Sequence, residues 1–436
     1  MKNYLSIMFV LCVVNLSAQN YGTMGTLPTV PPPQPPNPYQ YQNNLFGQPA
    51  SPYNPNPISD IQKRNEAILR EAKAYMEAQV QRQITINSLL RNGFPSYALQ
   101  DPTGTSHFYQ AFEEIRAMLE GKVPLNLGRT IFLIENAYYG NKLDYSEYEN
   151  FIKQKVQLCQ RKIIEEKLDG NNNMVKNMML FRLIADTLQF KGAGSEKTVT
   201  HLPIQYDYDD YDFKKNFDSH FITKLMRSGV GQCNSMPLYY LVLAEVMGAE
   251  AYWAKAPYHS LVKIKDENNA WYNIELTCSA ILSDAHYMNH SYIKAEAIRN
   301  KLYLYPLDRK EVIVEMLATL ARYYYLLYGF DNFYLQCADI VMQHSSSSNL
   351  SALILKFEYE RGLILALAHL SGAKDMDMLI EKLPEANKHL EELSKINKQI
   401  DDSGYEDTPM EVYVEWLAHL AKQKEKAEQN KTILFN

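Results

Sequence analysis

The chain contains 436 residues, 46% of them hydrophobic and 22% charged, which predicts two or three domains with hydrophobic cores of their own. Its formal net charge of −6 provides no basic surplus, and no nucleic-acid-binding motif is present, so we expect no nucleic-acid partner. Beyond the N-terminus no apolar run reaches the roughly 18 residues that a transmembrane helix requires, so we expect no membrane span.

The first residues have the pattern of a secretory signal peptide. A positive charge at Lys2 precedes the apolar residues 5–16, and Ala18 supplies a small residue at a cleavage position. We therefore expect residues 1–18 to be removed and the mature protein to be exported, as a soluble periplasmic or secreted protein. Residues 19–57 are rich in Pro, Gln, Asn and Tyr, which predicts an extended, poorly ordered linker, either a spacer or a disordered leader.

Helical periodicity dominates two regions, an N-terminal one over residues 58–200 and a C-terminal one over residues 291–436. A capping box at Ser146 and Glu149 is expected to begin one helix, and the Asn run at residues 171–173 to break the chain before the next. The expected helices cover residues 59–76, 109–120, 127–139, 145–167, 175–188, 295–303, 310–327, 333–344, 350–370, 376–395 and 407–429.

The central stretch, Gly231-Gln232-Cys233, precedes an apolar run over residues 238–247. A Cys at the start of a helix is suited to nucleophilic work, because the unpaired N–H groups and the positive end of the helix dipole favour the thiolate. Pro237 is tolerated only in the first turn, so the helix is expected to begin near Cys233, and Gly248 to end it.

Two runs with a period of two follow, residues 259–265 and 271–275, and the polar residues between them predict a turn. If the two strands pair about residue 267, His259 lies opposite Glu275 on one face of the hairpin, so that the carboxylate can orient the imidazole ring. Together with Cys233, these residues have the nucleophile, base and orienter arrangement of a cysteine hydrolase.

Several alternatives stay open at each position. Asn273 lies two residues from Glu275 on the same face and is a second candidate for orienting the ring. The Gln232 side chain could donate to an oxyanion, although the backbone N–H of Cys233 is the more direct donor. Taken singly, Cys233 reads as a buried inert thiol, His259 as a hydrogen-bonded strand residue, and Glu275 as a surface acid paired with Lys263.

These residues resemble the transglutaminase-like superfamily, which has a papain-like core. The nucleophile helix of that family opens with Gly-Gln-Cys, as at residues 231–233, its His precedes a strand, and its acid follows Trp in the pattern Trp-x-x-x-Asp-Pro-Thr. Residues 271–277 read Trp-Tyr-Asn-Ile-Glu-Leu-Thr, with Glu in place of Asp and Leu in place of Pro. The resemblance, which covers roughly residues 205–280, implies Cys233 as nucleophile, His259 as general base and Glu275 as orienting acid.

The resemblance also implies an α+β fold, with the nucleophile helix on a small antiparallel sheet over residues 201–290 and helices on both sides. It implies a cysteine hydrolase, either a peptidase or amidase or a transamidase, and the signal-peptide pattern of residues 1–18 adds the expectation that the enzyme is exported and acts on a peptide or protein. The alternative is a non-catalytic member of the same fold that binds a peptide or protein in the cell envelope. Residues 333–362 resemble a single tetratricopeptide-like helix pair, and antiparallel helical hairpins are expected there.

Metal and cofactor signals are absent from the sequence. The acidic residues 206–214 invite a calcium interpretation, but the Gly and Glu of an EF-hand loop are missing, so a solvated loop is expected. The four cysteines after the signal peptide include no Cys-x-x-Cys pair. One disulfide among Cys159, Cys278 and Cys337 is compatible with an oxidising compartment, and the sequence does not choose the pair.

Overall fold

The structure, a computed structural model, describes residues 57–96, 102–191, 198–210, 215–291, 293–345 and 350–406, with a few single positions after these. The predicted signal peptide, the linker up to residue 56 and most of the predicted last helix lie outside the described residues. The described part is mostly helical with small sheets, which confirms the predicted α+β class.

Most of the expected helices are present, with adjusted ends. The helices are α1 Pro57–Asn92, α2 Pro102–Leu119, α3 Leu127–Tyr138, α4 Tyr145–Glu165, α5 Asn173–Ala185, α6 Ile222–Ser228, α7 Ser235–Met247, α8 Asp284–His290, α9 Ala295–Arg299, α10 Arg309–Tyr328, α11 Asn332–His344, α12 Leu350–Ser371, α13 Met376–Lys382 and α14 Asn387–Asp402.

The strands form one four-stranded sheet and two strand pairs. They are β1 Leu188–Lys191, β2 Thr198–His201, β3 Gln205–Tyr206, β4 Val230–Gly231, β5 Tyr252–Ala256, β6 His259–Lys265, β7 Trp271–Glu275 and β8 Ala280–Leu282. The sheet is an antiparallel meander in the order β5-β6-β7-β8, while β1 pairs with β2 and β3 with β4. Only β6 and β7 were expected from the sequence.

Three helix boundaries illustrate how local chemistry decides the ends. The break at residues 171–173 is confirmed, because the Asn172 side chain accepts hydrogen bonds from the first backbone N–H groups of α5. The capping box at Ser146 is wrong, since Asp144 is the N-cap of α4 and its carboxylate accepts from the N–H of Ser146. The helix expected over residues 376–395 is interrupted at Pro384, which lacks the N–H that a helix interior needs.

The described chain divides into two units. The first contains residues 96–359 and the chain from residue 393, and the second contains residues 57–95 and 360–392. The predicted domain boundaries near residues 200 and 290 both fall inside the first unit, where N-terminal and C-terminal helices pack together. Phe108 of α2, for example, lies edge-on against Tyr324 of α10, with ring centroids 5.5 Å apart.

The helix that follows Cys233 forms the centre of the first unit. All residues of α7 except two near its C-terminus are buried, and the helix contacts α3, α4, α5 and strands β5 and β6. Its first hydrogen bond runs from the Met236 N–H to the Gln232 carbonyl, close to the predicted start, and Gly248 ends it in the left-handed conformation as expected. Gly231 is required just before it, because a Cβ there would lie 2.6 Å from side-chain atoms of Leu225 and Met236.

The predicted pairing of β6 with β7 is wrong by two residues. Lys263 lies opposite Asn273, which places Leu261 opposite Glu275 and makes His259 its diagonal neighbour. The turn is longer than expected, because the carboxylate of Asp266 accepts hydrogen bonds from the backbone of residues 268 and 270. Since a shift of two residues preserves the face of a strand, His259 and Glu275 still project to the same side.

Candidate active site

A tight turn carries His259 to the start of the α7 helix. Pro257 and Tyr258 form the two-residue connection between β5 and β6, and Tyr258 adopts a positive φ of 55°. The carbonyl oxygen of Tyr258 lies 3.9 Å from Cys233 Sγ, and the Ser260 hydroxyl donates a 2.7 Å hydrogen bond to the Cys233 carbonyl. Both neighbours of His259 therefore contact Cys233, which fixes the imidazole-bearing strand against the helix start.

The structure brings Cys233, His259 and Glu275 together in one buried site. His259 Nε2 lies 2.6 Å from Glu275 Oε2, and the imidazole also forms a side-chain hydrogen bond with Cys233. With Nε2 engaged by the carboxylate, Nδ1 is the ring nitrogen that remains for the thiol. The ring thus lies between thiol and acid, with 17% of the His259 side chain and 6% of the Glu275 side chain exposed.

The electrostatics of the site favour a charged imidazole and a charged carboxylate. Burial lowers the pKa of His259, but the adjacent Glu275 charge and the hydrogen bonds to Cys233 and Glu275 outweigh it, so the pKa is raised. Burial raises the pKa of Glu275, but the His259 charge and hydrogen bonds from Thr277 outweigh it, so this pKa is lowered. An imidazolium beside a sulfur atom favours the thiolate form.

Four donors surround the Glu275 carboxylate. Oε1 accepts from the backbone N–H and the hydroxyl of Thr277, at 3.0 and 2.7 Å. Oε2 accepts from His259 and from the Tyr287 hydroxyl, the latter at 2.8 Å. The sequence did not indicate Tyr287, because it lies on α8, a helix of seven residues that is too short to show a periodic pattern. Thr277 appeared only as the last residue of the family motif.

The Gln232 side chain is engaged away from the site of reaction. Its amide nitrogen donates to the carbonyl oxygens of Asp207 and Asp210, at 3.0 and 2.8 Å. Both amide hydrogens are used by these two bonds, so the side chain ties residues 207–210 to the start of α7 and has no hydrogen left for an oxyanion.

Asn273 and Lys263 likewise have partners other than the proposed ones. The Asn273 amide nitrogen donates a 2.8 Å hydrogen bond to Asp284 Oδ1, and Lys263 Nζ lies 2.6 Å from the same oxygen. Glu275 is therefore not the ion-pair partner of Lys263, and Asn273 binds Asp284 at the start of α8 in place of the imidazole.

The acidic segment before the site is held by backbone donors. Asp207 accepts hydrogen bonds from the N–H groups of Asp209 and Asp210, and Asp210 accepts from those of Lys215 and Asn216. Within the described ranges, no group of three or more His, Cys, Asp or Glu side chains is placed to hold a metal ion. The four cysteines in these ranges, Cys159, Cys233, Cys278 and Cys337, are free thiols.

Comparison with known proteins identifies no relative, since no family model, curated protein or solved structure matches the chain. Among the described residues, no helix combines the length and the apolar character needed to cross a bilayer. The assignment of a function therefore rests on the geometry of the site.

Proposed function

We propose that this protein is a cysteine hydrolase of the transglutaminase-like type, with a papain-like core formed by α7 and the β5–β8 sheet. The observation that carries the proposal is the imidazole of His259 held between the Cys233 thiol and the Glu275 carboxylate. Three residues from separate parts of the chain meet here in the order that nucleophilic catalysis requires.

In the resting site the Cys233 proton is already on His259, so that a thiolate lies beside an imidazolium, and Glu275 keeps the ring in the orientation that presents Nδ1 to sulfur. The thiolate then attacks the carbonyl carbon of an amide or ester, and a tetrahedral oxyanion forms. His259 returns the proton to the departing amine or alcohol, which leaves an acyl-thioester on Cys233. Attack by water gives hydrolysis, and attack by an amine gives transamidation.

The oxyanion lies at the start of α7 in this proposal. The positive end of the helix dipole and the backbone N–H of Cys233 supply the stabilisation, because backbone donors fixed before the reaction need no reorganisation. The Gln232 amide is committed to the carbonyls of residues 207 and 210, so the oxyanion depends on backbone groups.

A peptide or protein is the substrate class that fits an exported cysteine hydrolase, and export is the expectation that the signal-peptide pattern of residues 1–18 raises. One observation favours the alternative, a non-catalytic module that binds a peptide or protein. Cys233 is only 3% exposed, so a substrate must displace a neighbouring side chain to reach the sulfur. Chemical reactivity of the thiol distinguishes the two functions.

The first experiment compares Cys233 with Cys278 in the same molecule. Cys278 is an exposed residue, but partial burial of its sulfur and the charge of Glu275 raise the pKa of its thiol to about 11. Iodoacetamide at neutral pH is expected to modify Cys233 faster, as followed by peptide mass spectrometry. A Cys278→Ser variant should keep the rapid modification, and a His259→Ala variant should lose it.

The opposite result supports the binding module. If Cys233 in the wild-type protein reacts no faster than Cys278, or reacts equally fast after His259→Ala, the thiol is not activated by the imidazole and the hydrolase proposal fails. A circular dichroism melt of each variant shows whether a loss of reactivity reflects a loss of fold.

A further inference from the structure

The short helix α8 covers the strand face that carries the candidate acid and base. Its residues Asp284 and Tyr287 are three positions apart, so both side chains project from the same side of the helix. Asp284 contacts Lys263 of β6 and Asn273 of β7, and Tyr287 contacts Glu275 of β7. All of these strand residues lie on the face that carries His259.

Asp284 anchors the N-terminal end of this helix. One of its oxygens, Oδ1, accepts from Lys263 Nζ at 2.6 Å and from the Asn273 amide at 2.8 Å. Lys263 and Asn273 are both 2% exposed and lie opposite each other in the β6–β7 ladder. Two buried donors on neighbouring strands therefore hold one carboxylate, which sets the position of α8 on the sheet.

Tyr287, one turn further on, contacts both the acid and the base. Its hydroxyl donates to Glu275 Oε2 at 2.8 Å, and its ring lies beside the His259 ring with centroids 6.4 Å apart and planes inclined by 25°. Tyr287 is 4% exposed and packs in an apolar cluster that also includes Leu261, Leu302 and Tyr303. The position of its hydroxyl is thus fixed by packing as well as by α8.

We infer that Tyr287 is a positioning residue for the proposed hydrolase, held in place by α8, and that it fixes the Glu275 carboxylate so that Oε2 faces the imidazole. A carboxylate has about four acceptor sites, and here Thr277 fills two, His259 one and Tyr287 one. Without the hydroxyl, Oε2 is held by the imidazole alone, and the acid and ring can turn together away from Cys233.

The charged and titratable groups around this contact include Glu275, His259, Cys233, Cys278 and the Asp284–Lys263 pair. His286 also belongs to them, since its ring lies edge-on against the Tyr287 ring with centroids 5.7 Å apart. Burial and the charge of Glu275 raise the pKa of Tyr287, so its hydroxyl stays protonated and remains a donor over the working range of pH. The inference rests on the proposed function for its catalytic meaning, but the positioning itself can be measured without any substrate.

The test compares Tyr287→Phe with a matched variant, Tyr324→Phe, in the full-length protein. Tyr324 is also buried, and its hydroxyl also donates to a carboxylate, that of Asp331, at 2.6 Å. The solvent exchange rate of the His259 Nε2–H proton is measured by NMR in both variants and the wild type. Loss of one hydrogen bond to a charged group should raise this rate about tenfold in Tyr287→Phe, whereas Tyr324→Phe should leave it unchanged.

The rate of iodoacetamide modification at Cys233 is measured on the same samples and should fall by about the same factor in Tyr287→Phe alone. Asp284→Asn keeps an oxygen for its two donors but removes the charge. It should raise the exchange rate and lower the alkylation rate, each by a smaller factor than Tyr287→Phe does. If the exchange rate in Tyr287→Phe equals that of the wild type, the inference is overturned, whatever the alkylation shows. If the wild-type thiol is unreactive but the exchange rate responds, positioning is supported and the hydrolase proposal alone fails.

Discussion

Replacing Glu275 by Gln changes the charge of the candidate site while nearly preserving its shape. The carboxylate is buried and accepts four hydrogen bonds. Burial lowers the pKa of His259, and the charge of Glu275 is the largest of the effects that raise it. In Glu275→Gln the charge of the acid is lost, while burial still lowers the pKa of the imidazole and Cys233 still raises it. The pKa of the imidazole should therefore fall from its wild-type value, which keeps the ring protonated through neutral pH.

The same substitution has a signed effect on stability. The raised pKa of His259 stabilises the folded protein fully below pH 6.5, and this contribution declines above that value until the pH exceeds the folded-state pKa. The lowered pKa of Glu275 stabilises above about pH 4.5 and is lost as the pH falls through the folded-state value. Glu275→Gln should cost most between these limits, about 2–3 kcal/mol for breaking a buried charged pair that keeps part of its hydrogen bonding.

Two assays check these expectations. An NMR titration of the His259 ring gives its pKa, and urea unfolding at pH 5.5 and pH 9.5 gives the stability difference. Glu358→Gln is a matched control, because Glu358 also accepts a tyrosine hydroxyl, that of Tyr334 at 2.6 Å, but does not contact the site. An unchanged pKa of His259, or a stability loss of equal size at both pH values, would refute the proposed coupling of acid and base.

The remaining predictions concern residues that hold the site from outside. Glu135→Ala removes the carboxylate that binds two backbone N–H groups at the start of α6, at 2.7 and 3.0 Å, and should cost about 2–4 kcal/mol in urea unfolding. Gly231→Ala forces a methyl group against two buried side chains and should cost about 1–3 kcal/mol, with a lower melting temperature as the readout. Ser260→Ala removes the hydroxyl bound to the Cys233 carbonyl, and should slow iodoacetamide modification severalfold for a stability loss of only about 1 kcal/mol. A fast thiol in that variant would show that Ser260 has no part in placing the strand.

The sequence predicted the shared face of His259 and Glu275 but not the register of the two strands that carry them. Period-two alternation in β6 and β7 is a local property, so the shared face of His259 and Glu275 could be inferred from it. The register depends on the side chain of Asp266, which folds back on the turn and lengthens it. The two-residue error in register left the shared face correct only because side chains alternate between the faces of a strand with a period of two.

Features held by distant partners could not be predicted. Strand β5 contains Lys255, which is buried because it pairs with Glu315, 60 residues further along the chain, at 2.8 Å. Helix α8 has too few residues for a periodic signal, and its position depends on Lys263 and Asn273 of the sheet. The position of Tyr287 in the site therefore depends on tertiary contacts, for which a single sequence offers no local pattern.

Capture of an acyl-enzyme tests most directly whether Cys233 is a catalytic nucleophile. The full-length protein is incubated with an activated acyl ester that carries a mass tag, and the site of acylation is identified by peptide mass spectrometry. We expect one thioester, on Cys233, that is absent from Cys233→Ser and lost from His259→Ala in its folded state. Acylation that persists in His259→Ala at the wild-type rate, or that occurs equally at Cys278, would show that His259 does not activate Cys233 as a nucleophile.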